Sequence, residues 1–535
     1  MIAGRRLRVL SRTATLGVLA APALATAAFA APAFAAPAFA APAPAEAWSA
    51  DAGSRRTVDV QILGLNETHG QLVPLDREGR DAGGGPALAA YLAREEARNR
   101  RTLIIDSGDF MQGPPISSFF QGRSTVEVFN RIGVDAVAVG NHEFDWGRDT
   151  LAERIDQATF PLLAVNIVDE RTGDVPDGIQ PYVVEKLRGV KVGVIGVANP
   201  DTKNVTLPSA TEGLRFLDLD ETADAVNAAV QRLRDRGVET IVVAAHQGLT
   251  SVTEGALADL VRQLSTEVDL VLGGHIPLAF ETTINGIKVV QPFGNTRGYA
   301  DVTLTVDRRT KDVVDLSAEL DPTWTDAVEP DPQVGAIVDR YQERVTDVLG
   351  RTVGETRTEI TRQAGESEMG NFVTDSMRTY LAGVDFAFTN SGGLRADIDA
   401  GPITLEELYG VLPFNNTLVT MDLTGEQVRQ ALEEGISERY GIVQVSGLTW
   451  AYDDSAPAGS RVVRVTLPDG SAVDPAATYR IATNNFMAAG GDAFTTLTEG
   501  ENVVDTGTNV IDTVMRYLEE NSPVDPQVEG RLTVL

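Results

Sequence analysis

The chain of 535 residues carries 76 acidic against 45 basic side chains, a formal net charge of −31, and it contains no cysteine. Nucleic-acid polymers are poor partners for so acidic a chain, because binding to a phosphate backbone depends on basic surface. Without thiols the chain forms no disulfide, and its metal ligands must be nitrogen or oxygen atoms. A small anionic substrate is still possible if metals and a few arginines make one site locally positive. The length allows two or three domains.

The N-terminal segment, residues 1 to 47, has the composition of an export signal followed by an Ala/Pro-rich spacer. Arg5, Arg6 and Arg8 precede an apolar stretch at residues 16 to 25, and repeated Ala-Phe-Ala tripeptides follow. No other stretch reaches about 18 apolar residues, the length that a membrane-spanning helix needs. We therefore expect a secreted protein, extracellular or associated with the cell wall, without a membrane span.

Residues 48 to 321 alternate short apolar runs with amphipathic stretches, a pattern typical of parallel strands joined by helices. The glycines at 83 to 85 precede Pro86 without a Gly-Lys-Ser/Thr motif, which predicts the entry to a helix and not a phosphate-binding loop. Five of the apolar runs end on polar side chains, and all four histidines of the chain are among them. These side chains are Glu67, His69, Asp109, Asn141, His142, His246 and His275.

Any one of these histidines could be an ordinary hydrogen-bonded group at the junction of a strand and a loop. Four histidines at equivalent positions favour a shared crevice, because ligands of parallel α/β folds gather at the carboxyl ends of the strands. Imidazole nitrogens together with carboxylate and amide oxygens predict a transition-metal site.

The composition changes to an Asp/Pro-rich linker at about residue 322, followed by an amphipathic helix that ends near Gly350. Residues 322 to 350 are therefore predicted to join the first domain to a second one. Residues 351 to 535 are predicted to form this second α/β domain, which has its own glycine-rich turns.

The segments NETHG (66 to 70), SGD (107 to 109), GNHEFDWG (140 to 147), AAH (244 to 246) and GGH (273 to 275) resemble calcineurin-like metallophosphoesterases. Within that group the chain is similar to the 5′-nucleotidase family, over nearly its whole length after the export segment. The resemblance implies an α/β protein with an N-terminal metallophosphoesterase β-sandwich flanked by helices and a C-terminal α/β substrate-binding domain. It also implies that the two domains rotate relative to one another, with the helix at 331 to 349 as the hinge element.

The same resemblance implies two divalent metal ions, Zn, Mn or Co. Glu67, His69 and Asp109 would form the first metal site, and Asp109, Asn141, His246 and His275 the second. One carboxylate shared by two cations suits phosphoryl transfer, because both cations can neutralise charge on the same phosphoryl group. By resemblance His142 stabilises that group or protonates the leaving oxygen, with Asp145 holding the ring, and Glu143 is a bystander.

Two positions depart from the family pattern, and both belong to the first metal site. The usual Asp-x-His is Glu67-Thr68-His69, and the usual His or Gln two residues after the GGH histidine is Pro277, which has no donor atom. We therefore expect the first ion to be held more weakly than the second. A backbone carbonyl or another side chain could replace the missing ligand, and Gln291 is the candidate.

In the second domain NSGGLR (390 to 395), LPFNN (412 to 416) and NFMAAGGD (485 to 492) resemble the family's substrate-binding segments. The resemblance implies that Phe414 and Phe486 sandwich the nucleobase and that Asp492 accepts hydrogen bonds from the ribose. For a lone phenylalanine core packing is the more common role, but the flanking turn residues place both on loops. The other implied substrate contacts are Asn390, Arg395 and, upstream of GNFVTD, Arg362, although the family register falls on Gln363.

The sequence thus predicts a secreted phosphohydrolase that acts on nucleoside 5′-monophosphates, and on related nucleotides or nucleotide sugars. Two alternatives stay open: a 2′,3′-cyclic-nucleotide phosphodiesterase with 3′-nucleotidase activity, and a nucleotide-binding surface protein whose catalysis is impaired by Glu67 and Pro277. The preferred base, the native metal and the oligomeric state are left open.

Overall fold

A computed structural model describes residues 56 to 535 except 78 and 438. The predicted export segment, residues 1 to 47, lies outside the described residues. The first strand, Thr57–Leu65, shows how the sequence sets the fold: after one exposed position it is buried on both faces. It pairs antiparallel with Gly298–Asp307 and parallel with Thr102–Asp106. A central strand buried on both faces needs a near-continuous apolar sequence, and VDVQILGL approaches one.

Two mixed sheets face each other in the N-terminal half. The seven-stranded sheet has the order Val313–Pro322, Gly298–Asp307, Thr57–Leu65, Thr102–Asp106, Ala136–Ala138, Leu162–Leu163 and Ile179–Gln180. The six-stranded sheet has the order Phe280–Ile284, Ile287–Gln291, Leu270–Gly273, Thr240–Ala245, Val190–Val197 and Tyr182–Leu187. Aliphatic side chains of both sheets, such as Ile62, Ile105, Val194 and Val242, form one buried cluster between them. The predicted β-sandwich is therefore confirmed.

Helices cover the outer faces of the sandwich. The longer ones are Gly85–Arg98, Arg123–Ile132, Gly147–Gln157, Leu219–Arg234 and Ala256–Val261, and the short ones are Pro115–Ser118, Thr202–Val205 and the 3₁₀ turns His142–Phe144, Pro208–Thr211 and Thr325–Ala327. Gly84, at φ 82°, precedes the first of these helices and Pro86 lies in its first turn, so the glycines open a helix as predicted. Two small antiparallel pairs, Leu75–Arg77 with Arg80–Ala82 and Ile167–Asp169 with Leu214–Phe216, complete this half.

The helix Pro332–Leu349 follows the linker, and the side chain of Asp331 caps its first turn. Its apolar stripe is buried in a hydrophobic cluster that also contains Leu72 and Val128 of the first half and Phe372 and Leu408 of the second. A helix that packs on both halves is part of their shared core. Bending the helix itself would expose that core, and its role as a hinge element stays a prediction.

The C-terminal half is built on a five-stranded sheet with the order Gln444–Ser446, Phe386–Thr389, Thr478–Asn484, Thr417–Thr424 and Glu501–Asn509. The other strands are Thr352–Thr356 with Gly401–Thr404, Ile436–Ser437 with Gly441–Ile442, and the sheet of Val462–Thr466, Thr449–Tyr452 and Leu532–Val534. The helices are Glu368–Tyr380, Leu405–Val411, Gly425–Glu434, Asn485–Ala488 and Val510–Asn521, with 3₁₀ turns at Ser391–Gly393, Gly491–Ala493 and Thr495–Glu499. Across the described residues, none of the helices combines the length and the apolar character that crossing a membrane requires.

Candidate metal and substrate site

The carboxyl ends of strands from both sheets of the sandwich meet at one edge. Glu67 and His69 follow Thr57–Leu65, and Asp109 follows the neighbouring strand Thr102–Asp106. The facing sheet contributes His246 directly after Thr240–Ala245 and His275 shortly after Leu270–Gly273. The fold therefore brings together the polar strand ends that the sequence analysis singled out.

The gathered side chains form two groups that share Asp109. One ligand atom each from Glu67, His69 and Asp109 lies within 4.8 Å of the others, and the same holds for Asp109, His246 and His275. The Oδ1 atom of Asn141 lies 3.2 Å from Nε2 of His246, which places the amide in the second group. This arrangement is the one implied for two metal sites with a shared carboxylate.

Backbone strain is concentrated in these strand ends. Glu67, His69, Asp109 and His275 all adopt φ values between 47° and 69°, a left-handed region that residues other than glycine rarely occupy. Such a residue costs on the order of 1–3 kcal/mol and persists only where surrounding contacts hold it. Here the backbone N–H of His69 donates to the carbonyl of Asp109 at 2.9 Å, so the two strained loops hold each other.

Hydrogen bonds to the outer ring nitrogens orient the imidazoles of His69 and His246. Their Nδ1 atoms lie 2.8 Å from the backbone carbonyls of Gln112 and Ser107, which makes Nδ1 the protonated nitrogen in a neutral ring. The Nε2 atoms then point inward, 3.1 Å from Oε2 of Glu67 and 3.0 Å from Oδ2 of Asp109. Metal-ligating histidines are commonly fixed by an outer hydrogen bond of this kind.

The chemistry of this donor set fits divalent cations. Burial, followed by the neighbouring His246, lowers the pKa of His275 to about 4, so its ring stays neutral and can offer a lone pair. Among the described residues, Nδ1 of His275 and the side-chain amide of Gln112 are buried without a hydrogen-bond partner. Buried polar atoms are rarely left unpaired, and cations with their bound waters are suitable partners.

His142 and Asp145 lie beside these groups. Nδ1 of His142 is 2.8 Å from Oδ2 of Asp145, and the backbone N–H of His142 donates to Oδ1 of Asp109 at 2.8 Å. Burial alone would lower the pKa of His142, but the carboxylates of Asp145 and Asp109 raise it to about 9. An imidazolium with Nε2 free can stabilise a phosphoryl oxygen or donate a proton.

Glu143, expected from the sequence to be a bystander, has a structural role. Its carboxylate is 1% exposed and accepts hydrogen bonds from three backbone N–H groups, those of Asp109, Phe110 and Gly140, at 2.7 to 3.0 Å. Two strand-end loops therefore converge on one carboxylate. Glu143 acts as the buried anchor that fixes the loop of Asp109 against the loop that carries Asn141.

Gln291 is likewise not free to replace the ligand missing at Pro277. It is fully buried; its Oε1 accepts from the N–H of Leu249 at 2.7 Å, and its Nε2 donates to the carbonyls of Ile276 and Leu278 at 2.8 and 2.7 Å. Gln291 therefore holds the loop that follows His275. The candidate named from the sequence is wrong, because its amide is already used within the protein.

A cavity of about 680 Å³ extends from Asn141, His142 and His275 into the C-terminal half. The predicted residues that line it are Asn141, His142, Asp145, His275, Asn390, Arg395, Phe414, Phe486 and Asp492. Arg362 is not among the lining residues, and its guanidinium pairs with Asp397 at 3.0 Å. Arg439 and Tyr440 line the cavity although the sequence analysis missed them, because they sit in an ordinary turn without a recognisable motif.

The substrate side of the cavity contains a fixed carboxylate and an aromatic platform. Asn390 donates to Oδ2 of Asp492 at 2.7 Å, which holds Asp492 in a left-handed conformation with φ 52°. A Cβ atom on Gly491 would lie 2.5 Å from ring atoms of Phe486, so this glycine is required for the ring to pack on the backbone. The ring centroid of Phe414 lies 5.8 Å from that of His142.

Asp201, from the N-terminal half, joins the two halves at the rim of the cavity. Its Oδ2 atom accepts a hydrogen bond from the hydroxyl of Tyr440 at 2.7 Å and pairs with the guanidinium of Arg439 at 2.6 Å. Hydrogen bonds to a charged acceptor are stronger than neutral ones. The sequence analysis did not predict this contact, because nothing in the sequence pairs residues so far apart in the chain.

A sandwich whose strand ends surround a shared carboxylate defines a metallophosphoesterase, and comparison with known proteins agrees. Residues 60–278 match the family described as calcineurin-like phosphoesterase, and residues 347–499 match the family described as 5′-nucleotidase, C-terminal domain. The solved structure of a 5′-nucleotidase precursor from Thermus thermophilus is 32% identical, with a TM-score of 0.80, over 89% of this chain and 99% of that one. The chain belongs to the 5′-nucleotidase family, and it is a phosphoester hydrolase.

Two further relatives differ in how much of their length is matched. Snake venom 5′-nucleotidase from Crotalus adamanteus is 28% identical over 91% of this chain and 90% of its own length. Endonuclease YhcR from Bacillus subtilis (strain 168) is 31% identical over 91% of this chain but only 42% of its own length. The chain thus spans less than half of that endonuclease.

Proposed function

We propose that this protein releases inorganic phosphate from nucleoside 5′-monophosphates outside the cell, using two divalent metal ions. One observation carries the proposal: a single cavity is lined at one end by Asn141 and His275 of the second group around Asp109, and at the other by Phe414, Phe486 and Asp492. A substrate with a phosphate at one end and a nucleoside at the other matches the chemistry of both ends.

The metal-ligating groups would be Glu67, His69 and Asp109 at the first site and Asp109, Asn141, His246 and His275 at the second. Divalent cations bound there would supply water activation and charge neutralisation for phosphoryl transfer. Buried carboxylates and neutral imidazoles are suited to hold them, because cation charge offsets the cost of burying the anions.

The other residues would orient the substrate and move a proton. His142 would stabilise a phosphoryl oxygen through Nε2, or protonate the 5′ oxygen as it leaves, while Asp145 fixes the ring through Nδ1. Arg395 would contact the phosphate with its planar guanidinium. Asp492 would accept both ribose hydroxyls, and Phe414 with Phe486 would stack on the base at about 1–3 kcal/mol per stacked ring.

The extracellular location rests on the basic and apolar pattern of residues 1 to 47 and on the similarity to a venom enzyme. Phosphatase activity recovered in the culture medium, and lost when residues 1 to 47 are deleted, is the expected result. Full activity confined to the cell interior would contradict this part of the proposal.

Substrate choice is tested by phosphate release from 5′-AMP, 3′-AMP, 2′,3′-cyclic AMP, ADP, ATP and a UDP-sugar after loading with Mn, Zn or Co. We expect the highest kcat/KM on 5′-AMP, with Asp109→Asn, which alters the shared carboxylate, as the inactive control. A preference for the cyclic or 3′ ester would establish the first alternative function. Tight nucleotide binding with no turnover under any metal would establish the second.

A further inference from the structure

The imidazole ring of His142 is held by side chains from both halves of the protein. From the N-terminal half, Asp145 fixes Nδ1, and the ring of His69 approaches at a centroid distance of 5.3 Å and an angle of 64°. From the C-terminal half, the ring of Phe414 lies nearly parallel to the imidazole, at 5.8 Å and 17°. The hydrogen bond to Asp145 fixes Nδ1 but does not by itself fix the tilt of the imidazole plane. The stacked ring of Phe414 restricts that tilt.

The ring of Phe414 is itself fixed by its surroundings. Phe414 lies in the loop between the helix Leu405–Val411 and the strand Thr417–Thr424, and the next residue, Asn415, has a left-handed φ of 54°. The guanidinium carbon of Arg395 lies 5.9 Å from the centroid of the Phe414 ring. A cation this close to an aromatic ring is attracted to it, which adds a second restraint on the ring.

We propose that Phe414 is a positioning residue for His142, in addition to its proposed contact with the nucleobase. The inference rests on the proposed function, in which His142 acts on the phosphoryl group. The stacked phenyl ring holds the imidazole with Nε2 directed at the reacting phosphate. The C-terminal half therefore completes the orientation of a catalytic group that the N-terminal half carries.

The positioning role of Phe414 can be distinguished from nucleobase stacking by the substrates that each role affects. Stacking on a base contributes only to substrates that have a base, and its loss raises KM. The orientation of His142 contributes to every phosphate ester that the site hydrolyses, and its loss lowers kcat. A small aryl phosphate such as p-nitrophenyl phosphate carries no nucleobase and so reports on the second role alone.

The kinetic experiment compares Phe414→Leu, which keeps bulk and removes the ring, with Phe414→Tyr, which keeps the ring. Phe414→Leu should lower kcat on both 5′-AMP and p-nitrophenyl phosphate by the same factor, about two- to tenfold, the range expected for one lost aromatic pair. Phe414→Tyr should restore kcat. Metal content should equal that of the wild type in both variants, because neither removes a metal ligand. A Phe414→Leu variant that raises the KM for 5′-AMP but leaves kcat on the aryl phosphate unchanged overturns the proposal.

A second measurement does not depend on turnover. The chain has only four histidines, so ¹³C labelling at the Cε1 position of histidine gives four ring signals, and a His142→Asn variant assigns the one of interest. In the wild type we expect cross-relaxation between the ring protons of His142 and Phe414. At fixed pH, Phe414→Leu should shift the His142 signal, and Phe486→Leu, the matched control, should not. If cross-relaxation is absent in the wild type, or both variants give the same shift, Phe414 does not hold this ring. These results stand whether or not nucleotides prove to be the substrates.

Discussion

Pro277→His is expected to tighten the first metal site, the group formed by Glu67, His69 and Asp109. A Cβ atom on Gly294 would lie 3.0 Å from Cβ of Glu67 and 3.1 Å from Cβ of Pro277. The side chains at 67 and 277 therefore start within about 6 Å of each other, and an imidazole at 277 can reach the same ion as Glu67. Proline offers no donor atom in that place, and Gln291 is already used for other hydrogen bonds.

The expected gain follows from what a ligand contributes. Changes in the outer shell of a metal site alone cost about 10- to 100-fold in affinity, so one added imidazole should tighten the first ion by at least tenfold. The protein is stripped with a chelator, titrated with Mn or Zn, and assayed for occupancy by native mass spectrometry and for rate on 5′-AMP. The wild type should retain one ion through dilution and need added metal for full rate, and Pro277→His should retain two.

Pro277→Ala is the matched control, because it removes the proline ring without adding a donor atom. Its metal affinity should equal that of the wild type. Two tightly held ions in the wild type, with no activation on adding metal, would refute the reasoning, as would equal tightening by alanine and histidine. Two tightly held ions in the wild type would mean that another donor group already completes the first metal site.

Three other changes test separate parts of the structure. His142→Ala should abolish most turnover with metal content unchanged, because in the proposed function His142 contacts the substrate and does not bind a metal; loss of metal on mass spectrometry would contradict this. Asp201→Asn should weaken the hydrogen bond with Tyr440, worth about 1.5–3 kcal/mol at a charged acceptor, and raise the KM for 5′-AMP about tenfold in steady-state assays; an unchanged KM would show that the contact does not assemble the cavity. Burial raises the pKa of Asp269 to about 7, whereas the pKa of an aspartate in the unfolded chain is about 3.9. Between these two pH values the carboxyl is ionised in the unfolded state and still protonated in the folded state, so the stability of the fold falls as the pH rises. Asp269→Asn can still accept the hydrogen bond from the N–H of Ile241. In urea unfolding it should be more stable than the wild type by about 1–2 kcal/mol at pH 8 and nearly equal to it at pH 4.5. An equal gain at both pH values would contradict burial of the charge as the cause.

The sequence by itself determined which residues gather at the metal groups. Apolar runs that end on Glu67, His69, Asp109, His246 and His275 fix both the strands and the edge at which these side chains emerge, because parallel strands share a direction. The position of Phe414 on a loop could also be predicted, from the turn residues around it, whereas Phe486, predicted on a loop as well, lies in the short helix Asn485–Ala488. These features are local, since each depends on a few consecutive residues.

The tertiary structure decided what depends on residues distant in the chain. It gave Glu143 three backbone N–H donors, tied the amide of Gln291 to the loop after His275, and buried the helix Pro332–Leu349 between the halves. It also placed Phe414 on the ring of His142 and Asp201 on Tyr440. Such contacts form between segments that are distant in the chain and meet only in the folded protein. The spacing of residues along the chain therefore does not predict which of these segments come into contact.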